Sequence, residues 1–438
     1  MENKDILISG ASIAGPALAY WLRVNGFNPT VVERAPAPRP GGQTVDLRGA
    51  GRTVIQRMGL MDRARELSLD QRGIAWVNTH GRVTARMPAS LHGGEGIISE
   101  VEILRGDLGQ LLYEASQPGT EYLFDDTITG LDQDGSGVTV TFENAAPRRF
   151  ALVIGADGLH SAVRALAFGP ESGCVRPLGA YNAWFTAPAD LDLAGWYLMH
   201  SAPGGRVVSA RPGRMPGEIK AGLSFRSGPL DYDRRDVAAQ QDILAERLAG
   251  AGWETARLLE LMRTAPDFFF DAMGQVHLDH WSSGRTALVG DAGYCPTPLT
   301  GLGTSLALVG AYVLAGELAA ASGDHRPAFG RYEQIMRPYV TRAQQLPPGG
   351  VSGFAPRSEA IIRMRDFNMR MMAHWPMRLL LAGQFSKAGG IDLPDYQAAG
   401  SGRRADTGAG RDGAGRDSGA GRDSGAGRGR GLTGDRLQ

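Results

Sequence analysis

The chain opens with an apolar run, Ile6-Leu7-Ile8, closed by Gly10 and followed by Ala17-Leu18-Ala19-Tyr20-Trp21-Leu22 and a second run from Thr30 to Glu33. Short apolar runs bounded by turn residues predict buried strands, and the longer run between them predicts a helix. β and α signals keep alternating to residue 174, as expected for a largely parallel sheet with helices. Over 175–282 the pattern changes to short strand-like runs, Tyr181 to Phe185, Trp196 to His200, Arg206 to Ala210 and Ile219 to Phe225, broken by Pro and Gly. An antiparallel sheet fits that stretch best. Strand, glycine turn and helix return over 283–325, and 326–395 reads as helices, among them the Met-rich run Arg363 to Lys387. The expected fold is α/β, with a nucleotide-binding domain split between 1–174 and 283–325, an antiparallel sheet domain at 175–282 and C-terminal helices.

Residues 396–438 break the pattern: no aromatic residue occurs from Gly400 onward and Gly-Ala-Gly-Arg-Asp recurs from Gly408. Such a segment cannot bury enough apolar surface to offset its ordering entropy, so a disordered tail without a catalytic role is expected. The full 438 residues suffice for two or three domains with ample cores. The 46 basic and 46 acidic residues balance, so no global field draws the chain to nucleic acid or an anionic membrane, and a small organic partner is expected. Only Lys4, Lys220 and Lys387 are lysine; the other basic residues are arginine, which suits fixed contacts with phosphate but also follows from codon bias. Cys174 and Cys295 are too far apart in sequence for a metal or redox motif, so no metal site is expected. The N-terminus has no apolar signal core and no run of about 20 apolar residues occurs, which predicts a cytoplasmic protein without a membrane span, as a monomer or homodimer.

Three motifs carry the chemistry. The first is Gly10-Ala-Ser12-Ile13-Ala14-Gly15 between strand and helix, with Glu33 at the end of the next strand. Helix N-terminal amides there face a pyrophosphate, Gly15 permits close packing, and Glu33 binds ribose hydroxyls. Ser12 stands where the fingerprint has its middle glycine. The second motif is Gly155-Ala-Asp157-Gly158, with Arg164 following, and the third is Gly290-Asp291, continuing through Pro298, Gly301, Leu302 and Gly303. Each places an aspartate after an apolar strand, where it can accept bonds from ribityl or ribose hydroxyls. Asp157 equally suits a plain Asp-Gly turn.

Together the three motifs resemble the class A flavoprotein aromatic hydroxylases, the family of para-hydroxybenzoate hydroxylase and of the tetracycline-inactivating flavin monooxygenases. The resemblance covers roughly residues 4–390 and implies a split Rossmann-like FAD-binding domain. It makes Glu33, beside Arg34, the adenosine-ribose ligand and Asp291 the ribityl ligand. Arg105 in Ile103-Leu-Arg-Gly-Asp-Leu108 matches the flavin-contacting arginine, and Asp46 in Gly41-Gly-Gln-Thr-Val-Asp46 a position near the flavin. Arg39 matches a contact to the nicotinamide nucleotide, NADPH or NADH. Arg34, Arg39, Arg48 and Arg52 equally suit a solvated charged face. The implied reaction is hydride transfer to FAD, formation of a flavin C4a-hydroperoxide from dioxygen, and hydroxylation of an aromatic or polyketide-like substrate, with antibiotic biosynthesis or modification as the setting.

Chemistry centred on flavin needs no catalytic side chain, and no catalytic triad is evident. A helix starting near Gly301-Leu302-Gly303 would aim its positive end at the flavin N1/C2 carbonyl. The substrate would lie between the antiparallel sheet and the flavin, which makes Trp184, Tyr197, His200, Arg211 and Phe225 candidates for its lining. His200, beside a Pro-Gly-Gly turn, reads as a surface histidine and not as a base. The Met-rich helix, with Met364, Met369, Met371, Met372 and Met377, reads first as core packing and second as a cap on an apolar pocket. A flavin-dependent halogenase lacks support because no two tryptophans stand two apart, as its Trp-x-Trp-x-Ile-Pro signature requires. A non-catalytic FAD-binding protein stays open.

Overall fold

In the computed structural model, residues 4–89, 101–189, 191–372 and 390–396 are described. The first half alternates as its apolar runs require. Strand β1 (Asp5–Ser9) leads through helix α1 (Ala14–Val24) to β2 (Asn28–Glu33) and the short β3 (Thr44–Asp46). Helices α2 (Gly49–Arg57) and α3 (Met61–Glu66) precede a hairpin of β4 (Gly73–Val77) and β5 (Val83–Pro88). Then come β6 (Glu102–Leu104), α4 (Arg105–Ser116), β7 (Glu121–Phe124), β8 (Ile128–Gln133), β9 (Val138–Phe142), β10 (Arg148–Phe150), β11 (Leu152–Gly155) and α5 (Ala162–Phe168). The second half begins with β12 (Val175–Pro188), β13 (Trp196–Ala202), β14 (Arg206–Pro212) and β15 (Glu218–Arg226). Helices α6 (Val237–Leu248) and α7 (Thr255–Met262) separate these from β16 (Phe269–Val276), β17 (Ser282–Ser283) and β18 (Thr286–Leu288). The chain continues with α8 (Asp291–Tyr294), α9 (Gly303–Ala320), α10 (His325–Ala343), α11 (Gly350–Phe354) and α12 (Glu359–Met372).

Two sheets dominate. The first runs β17-β18-β11-β1-β2-β7, and β18, β11, β1, β2 and β7 are parallel to one another, so both ends of the chain contribute to it. Its faces are covered differently. Val138, Val140, Phe142 and Phe150 of the antiparallel β8-β9-β10 sheet pack on Leu7, Val32 and Val153. Helix α9 packs with α1, α2 and α10. Among the described residues α9 alone is long and apolar enough to cross a membrane, and most of it is buried in this core. The second sheet runs β16-β12-β15-β14-β13-β4-β5 and is antiparallel except where β13 pairs with β4.

The hairpin β4–β5 corrects the expected boundary, because residues 73–88 lie within the stretch assigned to nucleotide binding but extend the second sheet. The sheet's two faces follow the period of two. Tyr181, Phe185, Leu223 and Phe225 pack against Leu244, Leu248, Leu258 and Met262 of α6 and α7. Trp184, Tyr197, Met199 and Val207 belong to a cluster on the other face with Trp76 and Met87, which Phe354, Ala355 and Met369 cover. The described residues up to Pro394 form one compact unit. Met369 thus packs as expected, Met364 and Met371 are exposed, and Met377 and the glycine-rich tail lie outside the described residues.

Candidate functional site

The first motif builds a turn that only a small residue fits. Gly10 has φ +102°, and a Cβ there would sit 2.6 Å from the carbonyl oxygen of Ala156 at the end of β11. The Ala11 amide donates to Glu33 Oε2 at 2.8 Å and the Ala35 amide to Oε1 at 3.0 Å, which joins the ends of β1 and β2. Ser12 accepts a bond from Arg105 Nη1 at 3.0 Å, so the residue replacing glycine seats an arginine over the turn. Burial, and then the nearby Arg39 charge, lower the Arg105 pKa. A desolvated guanidinium facing the start of α1 favours an anion. Ala11, Ser12, Glu33, Arg39, Arg105 and Gly109 line a cleft at this place.

At the other end, Asp291 begins α8. The residue is half-buried, and burial of its carboxylate pushes the pKa up, partly offset by a hydrogen bond with the Cys295 thiol. A Cβ at Gly303 would lie 3.6 Å from Asp291 Oδ1, and one at Gly301 3.6 Å from Asp46 Oδ2. Both carboxylates therefore abut the loop through Leu302 that opens α9. No side chain caps α9, so its first amides are left for another partner. Pro298 opens a short 3-10 turn just before this loop, and Thr297 Oγ1 is buried with no hydrogen-bond partner among the described atoms. An anion site at one end, hydroxyl-accepting carboxylates between and free helix amides at the other end fit FAD.

Comparisons with known proteins agree. The family model described as an FAD binding domain matches residues 3–345. The chain belongs to the class A FAD-dependent monooxygenases. A flavin-dependent monooxygenase of Legionella longbeachae is 38% identical over 91% of this chain and all of its own. An uncharacterised protein of Mycobacterium tuberculosis is 49% identical over 81% of this chain and 95% of its own. The crystal structure of tetracycline destructase Tet(55) superposes with a TM-score of 0.75 at 38% identity, covering 90% of this chain and 99% of that one. Klebsiella pneumoniae HpxO complexed with FAD and uric acid, 20% identical with a TM-score of 0.69, shares the fold.

Within this monooxygenase the remaining candidates separate. Asp157 serves its own turn, accepting from Ser161 Oγ at 2.5 Å, the Val163 amide at 3.2 Å and Ser9 Oγ at 3.3 Å. Burial raises its pKa despite those bonds. Arg34 is exposed and Arg39 stands 3.8 Å from Glu33 with most of its side chain in solvent. Arg48 departs from the solvated reading: it is buried and paired with Asp46 at 3.0 Å.

Two of the five lining candidates, Phe225 and His200, face away from the flavin loop, contrary to expectation. Phe225 stacks on Tyr181 with ring centroids 5.6 Å apart, in the core beneath α6 and α7. His200 is buried, not on the surface, and its ring nitrogens bond the carbonyls of Val77 at 3.0 Å and Ala251 at 2.8 Å. Trp184, Tyr197 and Arg211 share the opposite face, where the Arg211 guanidinium lies 3.9 Å from the Tyr197 ring centre and 6.0 Å from that of Trp184.

Sequence reasoning missed what Arg211 binds. It pairs with Glu102 and also bonds Thr44. Burial raises the Glu102 pKa, and the Arg211 charge opposes that rise. The available signal was weak: Glu102 stands three residues before Arg105 and alternates into the same short strand as Leu104. Lys220 had a clearer one, as one of three lysines in an arginine-rich chain. It is buried in β15, directly opposite Arg211 of β14 and Thr186 of β12.

Proposed function

We propose that the protein consumes NAD(P)H and dioxygen to place one oxygen atom on an electron-rich ring or enol of a polyketide-like aromatic molecule. The other oxygen atom leaves as water, with the hydride of NAD(P)H and a proton balancing the step. FAD, when bound, supplies the oxygen-activating chemistry; Glu33 would hold its adenosine ribose and Arg105 its phosphates, with Asp291, Asp46 and the α9 amides at its ribityl and ring end. Arg39, exposed at the rim of the phosphate cleft, meets a transient nucleotide.

The observation that carries this reading is the apolar wall on the flavin side of the large sheet. Trp184, Tyr197, Met199 and Val207 continue through Phe354 to Met273 and to Leu299 of the flavin loop. Where this cluster reaches Leu299 beside the flavin loop, it offers an apolar border for a flat, extended ring system and keeps water from the reacting carbon. Likeness to a tetracycline destructase at 38% identity supports a polycyclic phenol or enol over a small carboxylated ring.

The test is oxygen-18 labelling with tetracycline and simpler phenols as probes. The product acquires one labelled atom from dioxygen and none from water, with NAD(P)H oxidised in proportion. Oxidation that releases only hydrogen peroxide with every probe would overturn the hydroxylase reading in favour of an uncoupled or non-catalytic flavoprotein.

A further inference from the structure

Three segments meet where the large sheet touches the phosphate end of the cofactor site. On the sheet, Thr186, Lys220 and Arg211 stand in register across β12, β15 and β14, so two buried cations are cross-strand neighbours. Like charges in that position repel unless each has a counter-ion. Arg211 draws its counter-ion from outside these strands, and Lys220 has one outside them, Asp267, besides Glu218 of its own strand at 3.8 Å. Arg211 pairs with Glu102 of β6, and Lys220 Nζ bonds Thr186 Oγ1 and lies 3.6 Å from Asp267 Oδ2.

Asp267, just before β16, is the better connected of the two. It accepts from the Thr186 amide at 2.6 Å, Thr186 Oγ1 at 2.5 Å and the Gly42 amide at 3.3 Å. Burial pushes its carboxyl up, but these bonds and the Lys220 charge outweigh it and hold the pKa below the usual carboxylate value. The turn it grips is tight on all sides. Gly41 has φ +70°, and a Cβ on it would lie 2.8 Å from Asp267 Oδ2; one on Gly42 would lie 3.0 Å from Arg105 Nε. The backbone of this turn is also fastened to α4, with the Arg105 amide bonded to Gln43 O at 2.9 Å and the Gly106 amide to Gly41 O at 2.8 Å.

We propose that Asp267 is a positioning residue for the cofactor site: held on the sheet by Thr186 and Lys220, it fixes the Gly41–Gly42 turn and thereby the seat of Arg105 beside Ser12. Asp267 need not touch FAD. It acts through Arg105, whose guanidinium is confined between the Gly42 backbone and the Ser12 hydroxyl. The same contact ties the sheet that faces the substrate to the end of the site that binds phosphate. This does not depend on which substrate the enzyme oxidises.

FAD release from the full-length holoenzyme, followed as the return of free-flavin fluorescence after dilution, tests it. Asp267→Asn speeds release about tenfold, the effect of losing a charge-assisted bond. Arg105→Met speeds release strongly in the wild-type background but by less than about threefold in the Asp267→Asn background, because Arg105 has already lost its seat. Gly41→Ala, which crowds the same turn without altering any charge, reproduces the Asp267→Asn rate and serves if that variant does not fold. Unchanged release in both variants, or independent multiplication of the Asp267→Asn and Arg105→Met effects, would overturn the proposal; a purely packing role for Asp267 gives such independence.

Discussion

The two faces of the large sheet are made by alternate residues of the same strands, yet they serve different ends. Towards α6 and α7 stand Tyr181, Phe185, Leu223 and Phe225, and His200 on that side has both ring nitrogens on backbone carbonyls. Towards the flavin stand Thr186, Lys220, Arg211, Tyr197 and Trp184, whose charges are answered by Asp267 and Glu102. The first face gains from removing apolar surface from water, which tolerates any well-packed shape. The second gains from placing groups, which tolerates little displacement. Losses on the first should therefore appear in stability, and losses around the second in cofactor binding and turnover.

The strongest way to break this contrast is Phe225→Ala. Removing a fully buried ring from the stack with Tyr181 and Phe270 costs about 3–5 kcal/mol of stability. Denaturant unfolding should register that loss while the fraction still folded keeps its FAD. A variant that stays stable but loses flavin would erase the distinction between the faces.

Asp291→Ala comes next. Its carboxylate has few protein partners to lose, so stability changes little. FAD affinity falls with the loss of a charged acceptor, about 1.5–3 kcal/mol or roughly ten- to a hundredfold. Equilibrium titration with FAD measures it.

The smallest expected effect lies at the seam between the sheets. His160, just after the Asp157 turn, bonds Glu171 Oε2 at 2.9 Å and Asp271 Oδ2 of β16 at 2.8 Å. Burial lowers its pKa, but Asp271 and Glu171 outweigh that and leave it raised above 6.5. A raised folded-state pKa means stability that is fully present below about pH 6.5 and is lost as pH rises through the folded-state value. Against His160→Gln, wild type should therefore lead most at pH 5.5–6, and the gap should close in alkaline buffer. A gap that widened with pH would mean the imidazole is neutral in the folded protein.

The sequence was most legible where its signals are local. A strand, a glycine turn, a helix and an acidic residue at the next strand end are set by neighbours within 30 residues, and they locate Gly10, Glu33 and Asp291. The split of the parallel sheet was legible for the same reason, since β18 repeats the strand and turn pattern of β1. Strand partnership was not: nothing in residues 73–88 says that they pair with β13 and not with the parallel sheet. The period of two is visible in β13 and β15, but its phase is not, so the sequence alone places His200 and Phe225 with Tyr197 although they point the other way. Ion pairs such as Lys220 with Asp267 join residues from separate elements, and composition alone cannot assign partners. Asp157 shows the converse case, where a local turn uses the carboxylate that a motif suggested for a ligand.

The central claim is that one face of the sheet and its surroundings hold the cofactor while the other holds the fold. The most direct measurement is the ratio of bound FAD to folded protein, from visible absorbance after gel filtration, for Asp291→Ala and Phe225→Ala side by side. The expected result is a folded Asp291→Ala with a clearly lower flavin ratio than wild type and a less stable Phe225→Ala that carries about one FAD per folded chain. A yellow Asp291→Ala with the wild-type ratio, or a folded Phe225→Ala without flavin, would contradict it.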